Sequence, residues 1–224
     1  MTAQENTEPL DIVIVRHGET VHNELGILQG QFDSELNLLG KQQAAAAGAA
    51  LKGEHFDACY ASDLQRTMET ARLALDAAGI SIPITPEPDL REWHLGELQN
   101  RPHRELQVEY PELMASFKRE CGEVPVPGGE SRMQFAGRIE KYLRRLAGQH
   151  KPGEKILLVT HGGTMQMVFR AVVGPVCENN LKPLASNASI SKIRFFHHLD
   201  SFQMVAWNDT THLREIKAHA TIVY

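Results

Sequence analysis

The sequence predicts an α/β fold: a three-layer sandwich in which helices flank a mainly parallel central sheet. Residues 12–15 and 155–159 are unbroken aliphatic runs, and such runs indicate strands that are buried on both faces. Helical patterns alternate with strands along the first part of the chain, which is typical of a parallel sheet. Because ligands bind such sheets at the carboxyl ends of the strands, we expect the functional residues there.

Weaker signals predict four further strands. Pro83 places one of them towards an edge of the sheet, because proline cannot donate a hydrogen bond to a strand ladder. Turn-like residues around Asp200 join the last two into a hairpin-type pair that is added to the sheet. The four strands are predicted at 57–60, 80–85, 190–196 and 202–207.

Capping residues mark the ends of the predicted helices. Asn37 is a candidate N-cap of an Ala-rich helix, and Ser131 with Gln134 has the spacing of a capping box. Ser62 or Asp63 is expected to cap the helix that follows the second strand. The helices are predicted at 38–52, 64–78, 102–119 with a break near Pro111, 131–147 and 163–173.

Length and composition fit one globular domain. The chain has 224 residues, of which 42% are hydrophobic and 23% charged, so it can bury a core without disulfides and is too apolar for disorder. We expect residues 1–9 to form a flexible tail and residues 10–224 a single domain. The net charge of -5 argues against a nucleic-acid or membrane-surface binder. A local cluster of arginines can still bind an anionic substrate.

Cysteine usage and the N-terminus predict a cytoplasmic protein. The three cysteines are an odd number without a C-x-x-C pair, which disfavours both a disulfide framework and a zinc knuckle. The first ten residues are polar and acidic, unlike the start of a signal peptide. No apolar run approaches the roughly 20 residues that a membrane span needs.

Each of the two strongest strands ends in a histidine that is followed by glycine. Arg16 and His17 follow the first strand, and His161 and Gly162 follow the second. If the two strands are neighbours, the two imidazoles face each other at the carboxyl edge of the sheet. Glycine lets the backbone come close to a ligand, and a helix that begins near Gly163 would aim its N–H groups at the same point.

Two other interpretations of these histidines are open at this point. A single buried histidine is most often a hydrogen-bonded structural residue. A metal site would need a third ligand and no competing cation nearby. The neighbouring Arg16 and the absence of an H-E-x-x-H motif disfavour the metal site.

Arg66 is a third candidate, since it lies early in the predicted helix after the second strand. An arginine is most often found on a solvated helix face. A functional role for Arg66 is favoured instead, because Arg16, Arg66 and the two histidines would come together as a compact cationic pocket in an acidic protein. Such a pocket suits the three non-bridging oxygens of a phosphoryl group.

An ordered set of short motifs covers residues 13–213. The set comprises Val15-Arg16-His17-Gly18-Glu19-Thr20, Asn23, Gln29-Gly30 before Asp33, Ser62-Asp63-Leu64 with Arg66-Thr67, Leu90-Arg91-Glu92, Pro127-Gly128-Gly129-Glu130-Ser131, His161-Gly162-Gly163, Asn187, and Trp207-Asn208-Asp209 with His212-Leu213. With these motifs the chain resembles the histidine phosphatase superfamily, and in particular its phosphatase branch. The resemblance implies the phosphoglycerate mutase-like fold.

The resemblance also implies a role for each matching residue. His17 would be the nucleophile that becomes a phosphohistidine, and Glu92 would donate a proton to the leaving oxygen. This chemistry is reasonable, because a neutral imidazole attacks phosphorus well and an alkoxide leaves poorly without an acid. No metal and no cofactor is implied. The residues that would bind the phosphoryl group are Arg16, Asn23, Arg66, His161 and Gly162.

The segment at about 93–129 is predicted to be an inserted cap over the leaving portion of the substrate. It departs from the family pattern, which usually continues after Glu92 with a glycine and then a tryptophan–acid–glycine cluster. Here Gly96 is followed by Glu-Leu-Gln-Asn. The departure alters the loop and its substrate contacts but removes no catalytic group. The cap residues that could touch the substrate, none singled out by the sequence, are Trp93, His94, Arg101, His103 and Tyr110.

The sequence therefore predicts a metal-independent phosphomonoester hydrolase for a small phosphorylated metabolite, and a homodimer is possible. One alternative is a phosphoglycerate mutase-type phosphotransferase. Such mutases usually carry a longer insertion with adjacent arginines, which the chain lacks between Glu92 and Pro127, and they must shield their phosphohistidine from water. The other alternative is a non-catalytic protein that binds a phosphorylated ligand. Such a protein usually lacks the nucleophile or one of the arginines of the site.

Overall fold

The structure is a computed structural model that describes residues 7–117, 125–174 and 183–216. Its strands, in chain order, are β1 (Leu10–Arg16), β2 (Ile27–Leu28), β3 (Ala58–Ala61), β4 (Ile84–Pro86), β5 (Arg101–Pro102), β6 (Lys155–Thr160), β7 (Ile190–Phe196) and β8 (Ser201–Asp209). Six of them form the central sheet in the order β4-β3-β6-β1-β7-β8. The four strands β4, β3, β6 and β1 run parallel, and the β7–β8 hairpin adds two antiparallel strands.

Helices cover both faces of this sheet. The α-helices of the described ranges are α1 (Val21–Leu25), α2 (Leu38–Ala50), α3 (Gln65–Ala78), α4 (His103–Glu109), α5 (Pro111–Phe117), α6 (Arg132–Gln149) and α7 (Gly162–Val173). Of these, α2 and α3 cover one face of the sheet, and α6 and α7 cover the other. Within the described ranges, no helix has both the length and the apolar character that crossing a membrane requires.

Alternate residues of the two central strands pack into different cores. Ile12 and Ile14 of β1 belong to a cluster with the apolar faces of α6 and α7. Val13 and Val15 belong to a second cluster on the opposite face, with α2 and α3. Side chains alternate across a strand, so a strand that is apolar at every position is buried between two layers of helices. The predicted three-layer α/β sandwich is confirmed.

The register between β1 and β6 decides where the chemistry can occur. Arg16, the last residue of β1, is paired with Thr160, the last residue of β6. The next residue on each strand is a histidine, so the parallel pairing delivers His17 and His161 to the same edge of the sheet.

The segment predicted as a cap has its own small core and a two-stranded sheet. β5 pairs with β2, which ties the segment to the loop after α1. Its apolar cluster comprises Leu28, Leu95, Leu98, Leu106, Met114, Phe117 and Val126. Residues 118–124 lie outside the described part of the chain. That this segment acts as a cap within a single domain stays a prediction.

Several predicted boundaries differ from the structure. The edge strand is shorter than expected, since it begins only at Ile84 after Pro83, and the Ala-rich helix ends at Ala50. The break near Pro111 is confirmed, because α5 begins at that residue, while residues 118–119 of that prediction lie outside the described ranges. Of the predicted N-terminal tail, residues 1–6 also lie outside them, and residues 7–9 have no regular secondary structure.

The predicted cap of α3 is wrong. The N-cap position is Leu64, whose side chain makes no capping bond. Asp33, which is distant in sequence, accepts the Gln65 N–H at 2.9 Å instead. Ser62 and Asp63 are engaged elsewhere: Ser62 binds His161, and Asp63 forms an ion pair with Arg91. The N–H groups at the start of a helix need acceptors. Because Asp33 accepts one of them here, neither Ser62 nor Asp63 is needed as the cap.

Candidate active site

His17 and His161 lie side by side at the carboxyl edge of the sheet. The His17 N–H donates to the Thr160 carbonyl oxygen at 2.9 Å. The two imidazole rings meet edge to face, with their centroids 5.2 Å apart. Both residues are buried, although His17 also lines an open cleft.

One hydrogen bond decides which nitrogen of His17 carries the lone pair. Nδ1 lies 2.7 Å from the Gly18 carbonyl oxygen, and a carbonyl oxygen can only accept, so Nδ1 holds the proton. In the neutral ring Nε2 is therefore unprotonated. The backbone is fixed as well, since Asn187 Nδ2 donates to the His17 carbonyl oxygen at 3.0 Å. This tautomer is the one that a nucleophilic Nε2 requires.

His161 adopts the opposite tautomer, because a guanidinium reaches it. Arg66 Nε donates to His161 Nδ1 at 3.1 Å, and an arginine nitrogen can only donate. The proton of the neutral ring is then on Nε2, which donates to Ser62 Oγ at 2.8 Å. Both ring nitrogens thus bind protein groups in this arrangement, and His161 orients Arg66.

Arg66 is the most completely enclosed charge of the site. It is 0% exposed and lies in the first turn of α3. Its Nη1 and Nη2 donate to the carbonyl oxygens of Phe32 and Gly30, at 2.8 and 2.7 Å. Together with the bond to His161, these contacts hold the plane of the guanidinium against the loop after β2.

Arg16 contributes a second buried guanidinium with an unsatisfied donor. Its Nη1 donates to the Ala185 carbonyl oxygen. Its Nε is buried and has no hydrogen-bond partner in the described part of the chain. A Cβ at Gly162 would lie only 3.2 Å from that Nε, so the glycine leaves room beside it. An unpartnered buried donor is costly, and Arg16 and Gly162 both line the cleft.

Glu92 is held at the start of α7. Its Oε2 accepts the Gly163 N–H at 2.9 Å, and its Oε1 accepts the Trp93 N–H at 2.8 Å. A Cβ at Gly163 would lie 2.3 Å from Oε1, so a side chain there would displace the carboxylate. The sequence predicts that the N–H groups at the start of this helix face the ligand. The Gly163 N–H instead donates to the Glu92 carboxylate, a negative group that the N-terminus of a helix favours.

Arg138 clamps the loop that carries Glu92. Its guanidinium donates to the carbonyl oxygens of Asp89, Arg91 and Glu92, at 2.7, 2.9 and 3.2 Å. Nε and Nη2 each donate to the Glu130 carboxylate at 2.8 Å. This residue on α6 therefore fixes the position of the acid without touching the cleft. Nothing in the local sequence marks it as part of the site.

Asn23 has a structural task besides the predicted one. Its Oδ1 accepts the Thr20 N–H at 3.2 Å, and its own N–H donates to Thr20 Oγ1 at 3.1 Å. These two bonds form the capping box of α1. With Oδ1 engaged, Nδ2 is the group that can donate to a phosphoryl oxygen, and Asn23 lines the cleft.

The cleft lies over these residues, and the space within it measures about 860 Å³ when the open solvent at its mouth is counted. Six of the seven residues predicted from the sequence line the cleft, while His161 lies behind them, against His17 and Arg66. Of the five cap candidates only Trp93 lines it. Arg101 instead pairs with Glu109 and lies 5.9 Å from the centroid of the Tyr110 ring. Two further polar residues line the cleft that sequence reasoning missed, namely Arg132 and Gln166.

Comparison with known proteins identifies the family. Residues 12–210 match the histidine phosphatase superfamily (branch 1). Two Arabidopsis thaliana proteins are each 35% identical over 94% of this chain: a phosphoglycerate mutase-like protein 4, covered to 90%, and a metal-independent phosphoserine phosphatase, covered to 86%. The structure of a mycobacterial glucosyl-3-phosphoglycerate phosphatase is similar with a TM-score of 0.79 and 28% identity, over 90% of this chain and 100% of that one.

The chain belongs to the histidine phosphatase superfamily. The match covers both strand-end histidines and the segment between them.

Burial and neighbouring cations keep both histidines of this histidine phosphatase neutral. Desolvation is the main cause that lowers the pKa of His17 well below its ordinary value, and the charges of Arg66 and Arg16 lower it further. The same causes lower the pKa of His161. Desolvation also lowers the pKa of each of the two arginines to about 10, so the guanidiniums stay charged at neutral pH.

The donor set does not suit a metal ion. His161 Nδ1 accepts an N–H from Arg66, so its lone pair is occupied by a cationic group. A second buried guanidinium, that of Arg16, lies in the same site. Across the described ranges, no three His, Cys, Asp or Glu side chains are grouped so that they could hold a metal. Arginines supply the positive charge of this histidine phosphatase.

The lowered pKa values of the histidines predict acid-sensitive stability. Below about pH 6.5 the imidazoles bind protons in the unfolded chain but stay unprotonated in the native protein, so the free energy of unfolding falls as the pH drops. The slope is up to about 1.4 kcal/mol per pH unit for each histidine. Urea unfolding between pH 7 and pH 5 measures it. His17→Asn should lose less stability than the wild type over this range; equal losses would show that His17 titrates normally.

Proposed function

We propose that the protein is a metal-independent phosphomonoester hydrolase that acts on small phosphorylated metabolites through a phosphohistidine at His17. The observation that carries the proposal is the unprotonated Nε2 of His17 in a cleft beside two buried guanidiniums. One of these, Arg16, has a buried Nε without a partner in the described ranges. A phosphoryl oxygen would satisfy that donor.

The first step transfers the phosphoryl group to the enzyme. His17 Nε2 attacks phosphorus, the N–P bond forms and the bond from phosphorus to the leaving oxygen breaks. Glu92 gives its proton to that oxygen, so an alcohol leaves. The charges of Arg16 and Arg66 stabilise the equatorial oxygens in the transition state, in a buried setting where such interactions are strong.

The second step returns the enzyme to its starting state. Water attacks the phosphohistidine, and the Glu92 carboxylate accepts a proton from that water. The N–P bond breaks, inorganic phosphate leaves, and His17 Nε2 regains its lone pair. The same carboxyl therefore acts as acid and then as base. Because Arg138 and the Gly163 N–H hold it in one place, it can serve both steps.

The leaving portion would occupy the outer part of the cleft, against the segment that we propose to be a cap within one domain, residues 10–224. The related phosphoserine and glucosyl-3-phosphoglycerate phosphatases are named for small phosphorylated metabolites, which supports this substrate class. A cytoplasmic location is part of the proposal and rests on the cysteine usage.

A mutase function has weaker support. Several related proteins are named phosphoglycerate mutase or phosphoglycerate mutase-like, which supports transfer of the phosphoryl group to a second substrate as the alternative. Retaining the phosphoryl group requires that water be kept from the phosphohistidine. In the part of the chain that the structure describes, the cleft is open to solvent at its mouth. The stretch between Glu92 and Pro127 lacks adjacent arginines. Hydrolysis is therefore the favoured outcome.

His17→Ala should abolish turnover and the covalent intermediate together. No other nucleophile is available at Nε2's position, and losing a covalent nucleophile costs orders of magnitude in kcat. Hydrolysis of p-nitrophenyl phosphate and alkaline-quench trapping of labelled phosphoenzyme, both with a strong chelator present, provide the test. A variant that keeps more than about one per cent of kcat would contradict the assignment, and loss of wild-type activity on chelation would contradict metal independence.

Glu92→Gln should slow phosphorylation of His17 in a way that depends on the leaving group. Glutamine keeps the shape and cannot donate an acid proton. An alkyl phosphate should react about two to four orders of magnitude more slowly, the usual contribution of general acid catalysis. A nitrophenolate leaves without help, so p-nitrophenyl phosphate should be much less affected.

Rapid-quench measurement of phosphohistidine formation isolates this step from the later attack of water. Equal slowing with the alkyl and the aryl substrate would mean that Glu92 positions the phosphoryl group and is not the acid.

A further inference from the structure

The C-terminal motif at 207–213, which the sequence singles out, has no part in the reaction described so far. It comprises the end of β8 and the short 3-10 turn at 211–213. None of its residues is among the described ones that line the cleft. The motif contacts the 184–189 loop, which leads into β7. In the described part of the chain, three side chains of the motif form hydrogen bonds with this loop.

Two of these bonds hold the residues on either side of Ala185. The Trp207 indole N–H donates to the Leu184 carbonyl oxygen at 2.7 Å. Asn208 Oδ1 accepts the Ser186 N–H, also at 2.7 Å. The position of the Ala185 carbonyl group between them is therefore fixed from both sides.

The Ala185 carbonyl oxygen is an acceptor for the guanidinium of Arg16, which donates to it from Nη1. Arg16 is buried, and its Nε has no partner in the described ranges. A guanidinium is planar and its N–H groups form a rigid fork, so the bond at Nη1 also determines the direction in which Nε points. The end of β8 thus acts on the orientation of a phosphoryl-binding donor.

The third bond reaches the backbone of the nucleophile. His212 Nε2 donates to the Ala188 carbonyl oxygen at 2.9 Å, and the Ala188 N–H donates to the His17 carbonyl oxygen at 3.2 Å. Ala188 is fully buried and has a φ of +54°. An alanine with this left-handed backbone is unfavourable unless the surrounding contacts hold it. The bond from His212 is one of these contacts.

An irregularity in the β7–β8 pairing directs Asn208 to the loop. The register shifts between Ile190 and Lys192, and Asn208 has a φ of +54°. Its own N–H leaves the strand ladder and donates to Ser191 Oγ at 3.0 Å. Irregularities of this kind re-aim a side chain, and asparagine adopts positive φ more readily than most residues. The local backbone of β8 therefore suits the contact with the Ser186 N–H.

We propose that the side chains joining the motif to the loop are positioning residues for the phosphoryl site, namely Trp207, Asn208 and His212. They act through the 184–189 loop on the Arg16 guanidinium and the His17 backbone, and they do not touch the substrate. The inference rests on the proposed function, in which Arg16 binds phosphoryl oxygens and His17 attacks phosphorus. Loosening the loop should weaken phosphate binding and slow phosphorylation of the enzyme.

The first test measures the Kd of inorganic phosphate by isothermal titration calorimetry. Asn208→Gly removes the acceptor of the Ser186 N–H, and glycine adopts the positive φ without strain. Asn208→Asp keeps an acceptor oxygen at the same place. The Kd should rise about tenfold in Asn208→Gly, which corresponds to losing one charge-assisted hydrogen bond. Asn208→Asp should recover most of the wild-type affinity.

The second test measures the single-turnover rate of phosphohistidine formation from p-nitrophenyl phosphate, per site that traps phosphate. Trp207→Phe removes the indole N–H and keeps a ring against Phe169. His212→Ala removes the donor to the loop, and His212→Gln can retain one. The rate should fall roughly ten- to a hundredfold in Trp207→Phe and His212→Ala, the effect of displacing reacting groups by a fraction of an ångström to about one. His212→Gln should recover most of it.

Thr211→Ala is the matched control for both tests. It deletes an exposed side-chain hydrogen bond to Asp209 in the same turn and does not reach the loop. Its Kd and rate should equal those of the wild type.

The outcomes separate this inference from the function on which it rests. If the wild type binds phosphate but forms no phosphohistidine, the proposed function fails, and the calorimetric comparison still decides whether Asn208 positions Arg16. If the wild type binds no phosphate, both fail. Wild-type affinity in Asn208→Gly, or equal losses in Asn208→Gly and Asn208→Asp, would overturn the inference alone. Unchanged rates per trapped site in Trp207→Phe and His212→Ala, together with a lower Tm, would show a purely structural role and overturn it as well.

Discussion

The parallel pairing of β1 with β6 is the constraint on which the site depends. Because the two strands end in register, with Arg16 opposite Thr160, the residues that follow them meet at one edge of the sheet. Neither strand could slip without separating His17 from His161. Burial on both faces fixes this register, since a shift of one residue would exchange the side chains of the two cores.

Desolvation and charge act together at that edge. The enclosed guanidiniums of Arg16 and Arg66 need a partner of opposite charge, and they also keep the imidazoles neutral. Hydrogen bonds then give the two rings opposite tautomers: His17 donates from Nδ1 to a carbonyl, and His161 accepts at Nδ1 from a guanidinium. One set of charges thus keeps both imidazoles neutral and makes the pocket suited to an anion.

A different set of elements holds the Glu92 carboxyl group. Glu92 lies on a loop whose carbonyl oxygens bind Arg138 of α6, while its carboxylate binds the start of α7. Glycine at 162 and at 163 keeps space for Arg16 and for Glu92 respectively. The cleft therefore has a polar floor from the sheet edge and an apolar outer wall from α5, α6, α7 and the segment that contains Trp93.

The sequence by itself determined the layered fold, the order of most elements and the residues around the phosphoryl site, because these depend on local patterns: aliphatic runs, caps and short motifs. Tertiary structure alone decided the cap of α3 by Asp33, the clamp by Arg138 and the outer wall with Arg132 and Gln166. Arg138, Arg132 and Gln166 come from helices whose local sequence suits any amphipathic helix, and Asp33 lies in the loop before α2. Their partners are distant in the chain, so only packing decides whether such a side chain meets solvent, a carbonyl oxygen or a cleft.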